Sequence, residues 1–129
     1  NIGLLICYEV IFSGKVVNGK RPDILINITN DAWYGNTSGP IQHLAAARAR
    51  AIEEGLPLVR AANTGISAII GANGRFIERL EINKEGVLDV YVPISGKKTI
   101  FSIYGNKIYI IILMFMLMLA RFVFISKKI

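Results

Sequence analysis

The 129-residue chain has little of what several classes of protein require. It contains one cysteine and one histidine, which excludes a disulfide framework and a zinc module built from its own ligands. Disordered chains need low hydrophobicity, whereas 53% of these residues are hydrophobic. The length allows one domain of ordinary size. We expect neither a metal nor another cofactor.

Acidic residues are missing from the last part of the chain. All nine Asp and Glu lie in residues 1–89, together with nine of the 15 Lys and Arg, so that this part is neutral. The other six bases lie in residues 90–129 and account for the whole net charge of +6. Because the charge is confined to a tail, we do not expect nucleic acid as a partner.

A long apolar run fills this basic tail. Residues 108–125 carry a single charge, that of Arg121. A helix of this length measures about 27 Å, close to the ~30 Å of a bilayer's hydrocarbon core. The alternative is the core helix of a soluble protein, but the neutral body is too small to enclose one that is apolar on every side. The sequence therefore predicts a transmembrane helix.

The neutral body alternates strands with a helix and then continues in hairpins. Pro40 and Gly55 bracket a helix predicted at 41–54, and Asn73-Gly74 predicts a hairpin turn. This order is typical of an α/β or α+β layered domain. Apolar runs predict strands at 2–7, 23–29, 56–62, 66–72, 75–82 and 86–93, the first two buried on both faces. Five helix residues are spaced to share one face: Ile41, Leu44, Ala45, Arg48 and Ile52.

Residues capable of chemistry follow the ends of the first two strands. Cys7 ends the first strand, and the loop that follows the second begins with Asn30 and Asp31. Such ends face one cleft if the strands are parallel neighbours. A nucleophilic thiolate needs a base and a cationic or dipolar neighbour, whereas a buried structural thiol needs neither. Strand alternation would put Glu9 on the side of Cys7, as a substrate ligand or as an exposed acid.

The aromatic residues of that loop and the single histidine also admit two interpretations. Trp33 and Tyr34 would give the cleft apolar walls, or the loop is an ordinary turn with Trp33 packed on the core. A Cys–His dyad with His43 is conceivable. However, a histidine in the first turn of an amphipathic helix is more often a surface or cap residue, and we expect that role.

A long ungapped pattern runs through the body, from ICYEVIF at residues 6–12 through NDAWYG at 30–35 to NTGISAIIG at 63–71. It resembles the C-terminal part of bacterial apolipoprotein N-acyltransferases, membrane members of the nitrilase (carbon–nitrogen hydrolase) superfamily. The resemblance implies an α/β fold, namely the C-terminal half of a nitrilase-like α-β-β-α sandwich followed by one transmembrane helix. Its parts would be the half-domain at 1–94, a juxtamembrane linker at 95–107, the transmembrane helix at 108–125 and a basic cytoplasmic tail at 126–129.

The resemblance implies ping-pong acyl transfer at a membrane. A phospholipid would donate a fatty acyl group to a cysteine thioester, which passes it to the amino terminus of a lipoprotein. Cys7 matches the nucleophile, and Tyr8 and Glu9 match residues that shape the site. Asn30, Asp31 and Trp33 would bind substrate or support the site. The implied location is the bacterial inner membrane, with the half-domain on the periplasmic side and the C-terminus in the cytoplasm.

Two members of the family's Glu–Lys–Cys triad have no counterpart here. In this family the general base Glu and the oxyanion-stabilising Lys precede the cysteine, and only six residues precede Cys7. We therefore expect a piece of a longer protein that is inert without its N-terminal half and that leaves apolar faces exposed. Two alternatives remain: half of a nitrilase or amidase that hydrolyses a small amide, which the apolar tail argues against, and a non-enzymatic single-span remnant.

Overall fold

A computed structural model describes residues 1–94 and 96–126, in which five strands form one sheet in the order β1-β2-β3-β4-β5. The first three strands are parallel and the last two pair antiparallel. The strands are β1 (Ile2–Ile6), β2 (Ile24–Asn30), β3 (Leu58–Asn63), β4 (Ser67–Ile70) and β5 (Phe76–Leu80). The helices are α1 (Gly39–Glu54), α2 (Ile100–Tyr104) and α3 (Lys107–Ser126). Short 3-10 turns lie at Cys7–Ile11 and Ala32–Tyr34.

The predicted elements of the body are present, with one exception. The hairpin at Asn73-Gly74 joins β4 to β5, and α1 ends at Gly55 as predicted. The strand predicted at 86–93 is wrong, since those described residues have no regular structure. Val87 is 88% exposed and Tyr91 is fully exposed. An apolar segment forms a strand only when a neighbouring strand satisfies its backbone, and none of the described strands pairs with this segment.

Helix α1 packs on one face of the sheet. Apolar side chains from the sheet and the helix form the core there, among them Leu5, Leu25, Leu58, Leu44 and Ala47. Five helix residues predicted to share a face do line one cavity of about 480 Å³ beside Phe76. However, that face is mostly not the packed one, since Ile41 is 60% and Ile52 46% exposed. The buried face carries three polar residues as well, of which His43 contacts Asp31 and Arg60, while Arg50 and Glu54 have other partners.

The other face of the sheet is open at β1 and β2. Ile2, Leu4 and Ile6 alternate along β1 and are 65%, 57% and 50% exposed. In the register of the parallel pair, Ile6 lies opposite Ile28, which is also 50% exposed. The prediction that these strands are buried on both faces is therefore wrong for the described chain. An apolar sheet face without a second layer is what half of a sandwich leaves exposed.

Thr99 ties the start of the C-terminal elements to the end of α1. The Thr99 hydroxyl donates a hydrogen bond to the carbonyl of Glu53 and accepts one of 2.9 Å from the Ser102 amide, so that it caps α2. Helix α3 is long and apolar enough to cross a membrane, and its residues 107–124 are unburied. Residue 95 of the predicted linker and residues 127–129 of the predicted basic tail lie outside the described residues.

Candidate active site

Cys7 lies at the carboxyl end of β1, in an unusual backbone conformation. It begins the 3-10 turn Cys7–Ile11 with φ 50°, a left-handed conformation that non-glycine residues rarely adopt. Such a conformation costs about 1–3 kcal/mol and occurs often at functional sites. A sharp strand-to-helix turn is also how hydrolases of another fold present a nucleophilic side chain. The Cys7 thiol is partly exposed and is not in a disulfide.

The turn changes what Glu9 can do. Strand alternation was expected to put Glu9 on the side of Cys7, but β1 ends at Ile6, so that argument does not apply. The Glu9 carboxylate instead accepts a hydrogen bond of 2.7 Å from the Ile6 amide, at the start of the turn. Glu9 therefore stabilises the backbone that presents Cys7.

A line of polar side chains on β2 and just after it leads away from the sulfur. Because strand side chains alternate, Asn27, Thr29 and Asp31 lie on the face covered by α1. The Thr29 hydroxyl is 3.4 Å from the Cys7 sulfur and 3.2 Å from Asp31 Oδ1. Asn27 Nδ2 donates to the carbonyls of Leu5 and Cys7, at 3.1 Å and 3.4 Å. The end of β1 is thus held to β2 by side chains as well as by the strand pairing.

Arg60 of β3 balances the negative charge of Asp31 in this buried line. Its side chain is fully buried, with Nη2 2.7 Å from Asp31 Oδ2 and Nη1 donating to Asn27 Oδ1. Burial lowers the pKa of Arg60, and the neighbouring Asp31 carboxylate opposes that shift. Gly65 lets Asp31 approach, since a Cβ there would stand 2.3 Å from Asp31 Oδ2. Each buried charge here has a charged partner, as the interior requires.

His43 joins the cluster from α1. It is 3% exposed, which makes the expectation of a surface or cap residue wrong. Its Nδ1 lies 2.9 Å from Asp31 Oδ1 and 3.2 Å from Arg60 Nη2. Since a carboxylate only accepts, we assign the ring hydrogen to Nδ1. Among the described residues His43 bonds to Asp31 and not to Cys7, so it forms no Cys–His dyad, and its Nε2 has no partner.

Two tyrosines cover this histidine. The Tyr8 ring stacks on His43 at 5.4 Å between centroids, and the Tyr34 ring meets it edge-on at 5.8 Å. Burial raises the pKa of Tyr34, and a hydrogen bond with Tyr8 adds to the shift. Trp33 is 85% exposed, so it does not pack on the core.

Asn30 ties two strand ends together. Its Oδ1 accepts a hydrogen bond of 3.1 Å from the Ala32 amide and one of 3.0 Å from Asn63 Nδ2, at the end of β3. The Asp31 amide donates to the carbonyl of Asn63 at 3.0 Å. These bonds fix the loop after β2 against β3, which places Asp31 beneath α1.

The structure thus groups some of the expected residues and separates others. Cys7, Asp31 and Tyr8 belong to one cluster, whereas Trp33 stands apart in solvent. Sequence reasoning missed Thr29 and Arg60. The signal was present as polar residues at every second position of an otherwise apolar strand, and as an arginine within LPLVRAAN. Within residues 1–94 and 96–126, no three His, Cys, Asp or Glu side chains come together as metal ligands would.

Comparison with known proteins gives matches along most of the chain. Residues 1–97 match the carbon–nitrogen hydrolase family. The apolipoprotein N-acyltransferase of Rickettsia bellii (strain RML369-C) is 47% identical over 127 residues, which are 97% of this chain and 25% of the relative. That of Allorhizobium ampelinum is 56% identical over 93 residues, which are 71% of this chain and 18% of the relative. The chain therefore spans about a quarter or less of the length of these relatives.

One solved structure extends the comparison to the fold. A carbon–nitrogen hydrolase from Helicobacter pylori G27 superposes with a TM-score of 0.54 over 65% of this chain and 37% of that one. The sequences are 20% identical, so that the likeness is one of fold.

Proposed function

The chain belongs to the carbon–nitrogen hydrolase family, and from that premise we propose that it is the nucleophile-bearing C-terminal part of an apolipoprotein N-acyltransferase. The observation that carries the proposal is the presentation of Cys7. It lies partly exposed on a left-handed turn at the end of a parallel strand, with a hydroxyl donor 3.4 Å from its sulfur. In open α/β sheets this end of the strands is where ligands bind.

The proposed reaction has two balanced steps. The Cys7 thiolate attacks the ester carbonyl of a phospholipid, which forms a thioester and releases a lysophospholipid with the proton that the thiol gave up. The free amino terminus of a lipoprotein then attacks the thioester and forms an amide, while the carbon–sulfur bond breaks and a proton given up by the amine restores the Cys7 thiol. Splitting the transfer in this way replaces one difficult step by two easier ones.

The rest of the machinery lies outside these residues. The general base Glu and the oxyanion-stabilising Lys would come from an N-terminal half, whose strands would cover the open face of β1 and β2. Helix α3 would hold the site beside its lipid donor, with the sheet on the periplasmic side of the inner membrane and the C-terminus in the cytoplasm. By themselves the 129 residues lack the base and the lysine, and we propose that they are inert alone.

A chimaera tests the function directly. The 127 matched residues of the Rickettsia bellii relative are replaced by those of this chain, and N-acylation of a lipoprotein is followed by mass spectrometry in membranes. We expect acyl transfer by the chimaera and none by its Cys7→Ala variant. A chimaera that is inserted and folded but inactive, beside an active parent, would contradict the proposal.

The isolated chain tests the claim of inertness. Intact-mass measurement after incubation with phospholipid vesicles should show no acyl adduct that hydroxylamine removes. An adduct on Cys7 of the isolated chain would overturn the need for an N-terminal half.

Hydrolysis of small amides by the chimaera, without acyl transfer, would favour an amidase instead.

A further inference from the structure

We infer that the Thr29 hydroxyl is a hydrogen-bond donor to the Cys7 thiolate, and that its single hydrogen is shared between that sulfur and Asp31. The inference rests on the proposed function only in treating Cys7 as a nucleophile. The contact itself lies within this chain, as the hydroxyl is 3.4 Å from the sulfur and 3.2 Å from Asp31 Oδ1. A threonine hydroxyl has one hydrogen to donate, so the two acceptors compete for it.

The charge state of the sulfur decides that competition. While Cys7 is a thiol, the Asp31 carboxylate is the stronger acceptor and takes the hydrogen bond. When a base removes the thiol proton, the sulfur becomes an anion and the hydroxyl turns towards it. Only the Thr29 hydrogen changes direction, and the proton lost by Cys7 goes to the base.

Asp31 can give up this bond because it keeps two others. Arg60 Nη2 remains 2.7 Å from its Oδ2, and His43 Nδ1 remains 2.9 Å from its Oδ1. An unsatisfied buried carboxylate would be costly, whereas one that retains a guanidinium and an imidazole donor is not. The buried cluster therefore lets the hydroxyl move at little cost, with Asp31, Arg60 and His43 as positioning residues.

Other charged or titratable groups face the sulfur and must stay constant in any test. Arg60 on β3 and Tyr34 in the turn after β2 interact electrostatically with Cys7. Asp31 lies behind Thr29, while the Glu9 carboxylate is held by the Ile6 amide. Substitutions at Thr29 leave all of these groups in place.

Thiol alkylation is the sharpest readout, since Cys7 is the only cysteine of the chain. The rate with iodoacetamide is measured from pH 6 to 10 on the full chain in detergent, for the wild type, Thr29→Val and Thr29→Ser. Val keeps the shape without the hydroxyl, and Ser keeps the hydroxyl. We expect Thr29→Val to react about tenfold more slowly at pH 7, with the midpoint of its rate profile about one pH unit higher.

The controls separate a donated hydrogen bond from simple packing. Thr29→Ser should react within about twofold of the wild type. A role in packing alone would change the rate by the same factor at every pH and leave the midpoint in place, and that result would overturn the inference. If Thr29→Val does not fold by circular dichroism, Thr29→Ala replaces it, with the same upward shift expected.

The two proposals fail in different ways. A shifted midpoint in Thr29→Val together with an inactive chimaera would reject the acyltransferase and leave the hydrogen bond standing. An active chimaera with an unshifted midpoint would reject the role of Thr29 alone.

Discussion

Asp31 and Arg60 form an ion pair of 2.7 Å whose two side chains have no exposure to solvent. The pair joins the loop after β2 to the middle of β3. It lies beneath α1, and Asp31 is linked to the Cys7 sulfur through the Thr29 hydroxyl. A pair of this kind is worth most as a constraint, because breaking it leaves one charge alone in the interior.

Removal of the arginine should therefore destabilise the body strongly. We expect Arg60→Met to lower the free energy of unfolding by about 3–5 kcal/mol, since Asp31 stays buried and loses its charged partner. Urea unfolding in detergent measures this. Glu81→Gln is the control, because it breaks the Arg79–Glu81 pair of the same 2.7 Å length at exposed side chains. That loss should be about 1 kcal/mol or less, and equal losses would contradict the assignment.

The glycine that follows α1 should not tolerate alanine. Gly55 has φ 61° and ψ 38°, and an alanine in that left-handed conformation costs about 1–2 kcal/mol. A Cβ there would also stand 2.3 Å from the Lys97 carbonyl oxygen, so that the backbone at residues 97–99 would have to move. Gly55→Ala should therefore lower the free energy of unfolding by more than the strain alone, as measured by urea unfolding. A loss of only about 1–2 kcal/mol would show that residues 97–99 do not pack against the end of α1.

Glu54 should make stability depend on pH. Burial raises its pKa above the ordinary 4.5, although Arg21 opposes the shift. The fold therefore favours the protonated acid, and stability falls as pH rises from about 4.5 through the raised value. Glu54→Gln removes this dependence, so its advantage over the wild type should be larger at pH 8 than at pH 4.5. Thermal unfolding at both pH values measures the difference, and an advantage that stays constant or shrinks would rule this out.

Helix α3 should behave as an integral membrane segment. We expect the chain to stay with the membrane fraction after extraction at high pH. Leu117→Arg, near the middle of the apolar stretch, should reduce insertion, because an arginine there costs about 2.5–3.5 kcal/mol. Lys107→Arg at the start of the helix is the matched control and should insert normally. A wild-type chain recovered in the soluble fraction would refute the span.

The sequence predicted most elements but not which faces they bury. Hydrophobic periodicity and the Pro and Gly residues at element ends located α1, the parallel strands and the hairpin, because these are local signals. The spacing on α1 showed which residues share a face but not whether that face is packed, and Ile41 and Ile52 are exposed. The helix instead packs small and polar side chains over Arg60 and Asp31. Only the pairing of strands far apart in sequence reveals that arrangement.

The residues of the candidate site likewise fall into those that local sequence indicated and those that only the fold brings together. The resemblance of local motifs pointed to Cys7 and to the loop after β2, which the structure puts at neighbouring strand ends. The partners of His43 and Thr29 could not be assigned from the sequence, because each of these residue types has an ordinary structural role in most proteins and gains another only from its spatial neighbours. Cys7 itself was expected in a strand, and the turn that begins there rests on a capping bond between Ile6 and Glu9.

Because the apolar face of β1 and β2 is open, the stability of this body depends on the concentration of any partner that covers it. Any partner that binds Ile2, Leu4, Ile6 and Ile28 in the folded state alone, and not in the unfolded chain, shifts the folding equilibrium by mass action. At a hundred times its dissociation constant such a partner adds about 2.7 kcal/mol. The melting temperature of the chain should then rise with the concentration of that partner. A value measured without the partner is the lowest that the chain can show.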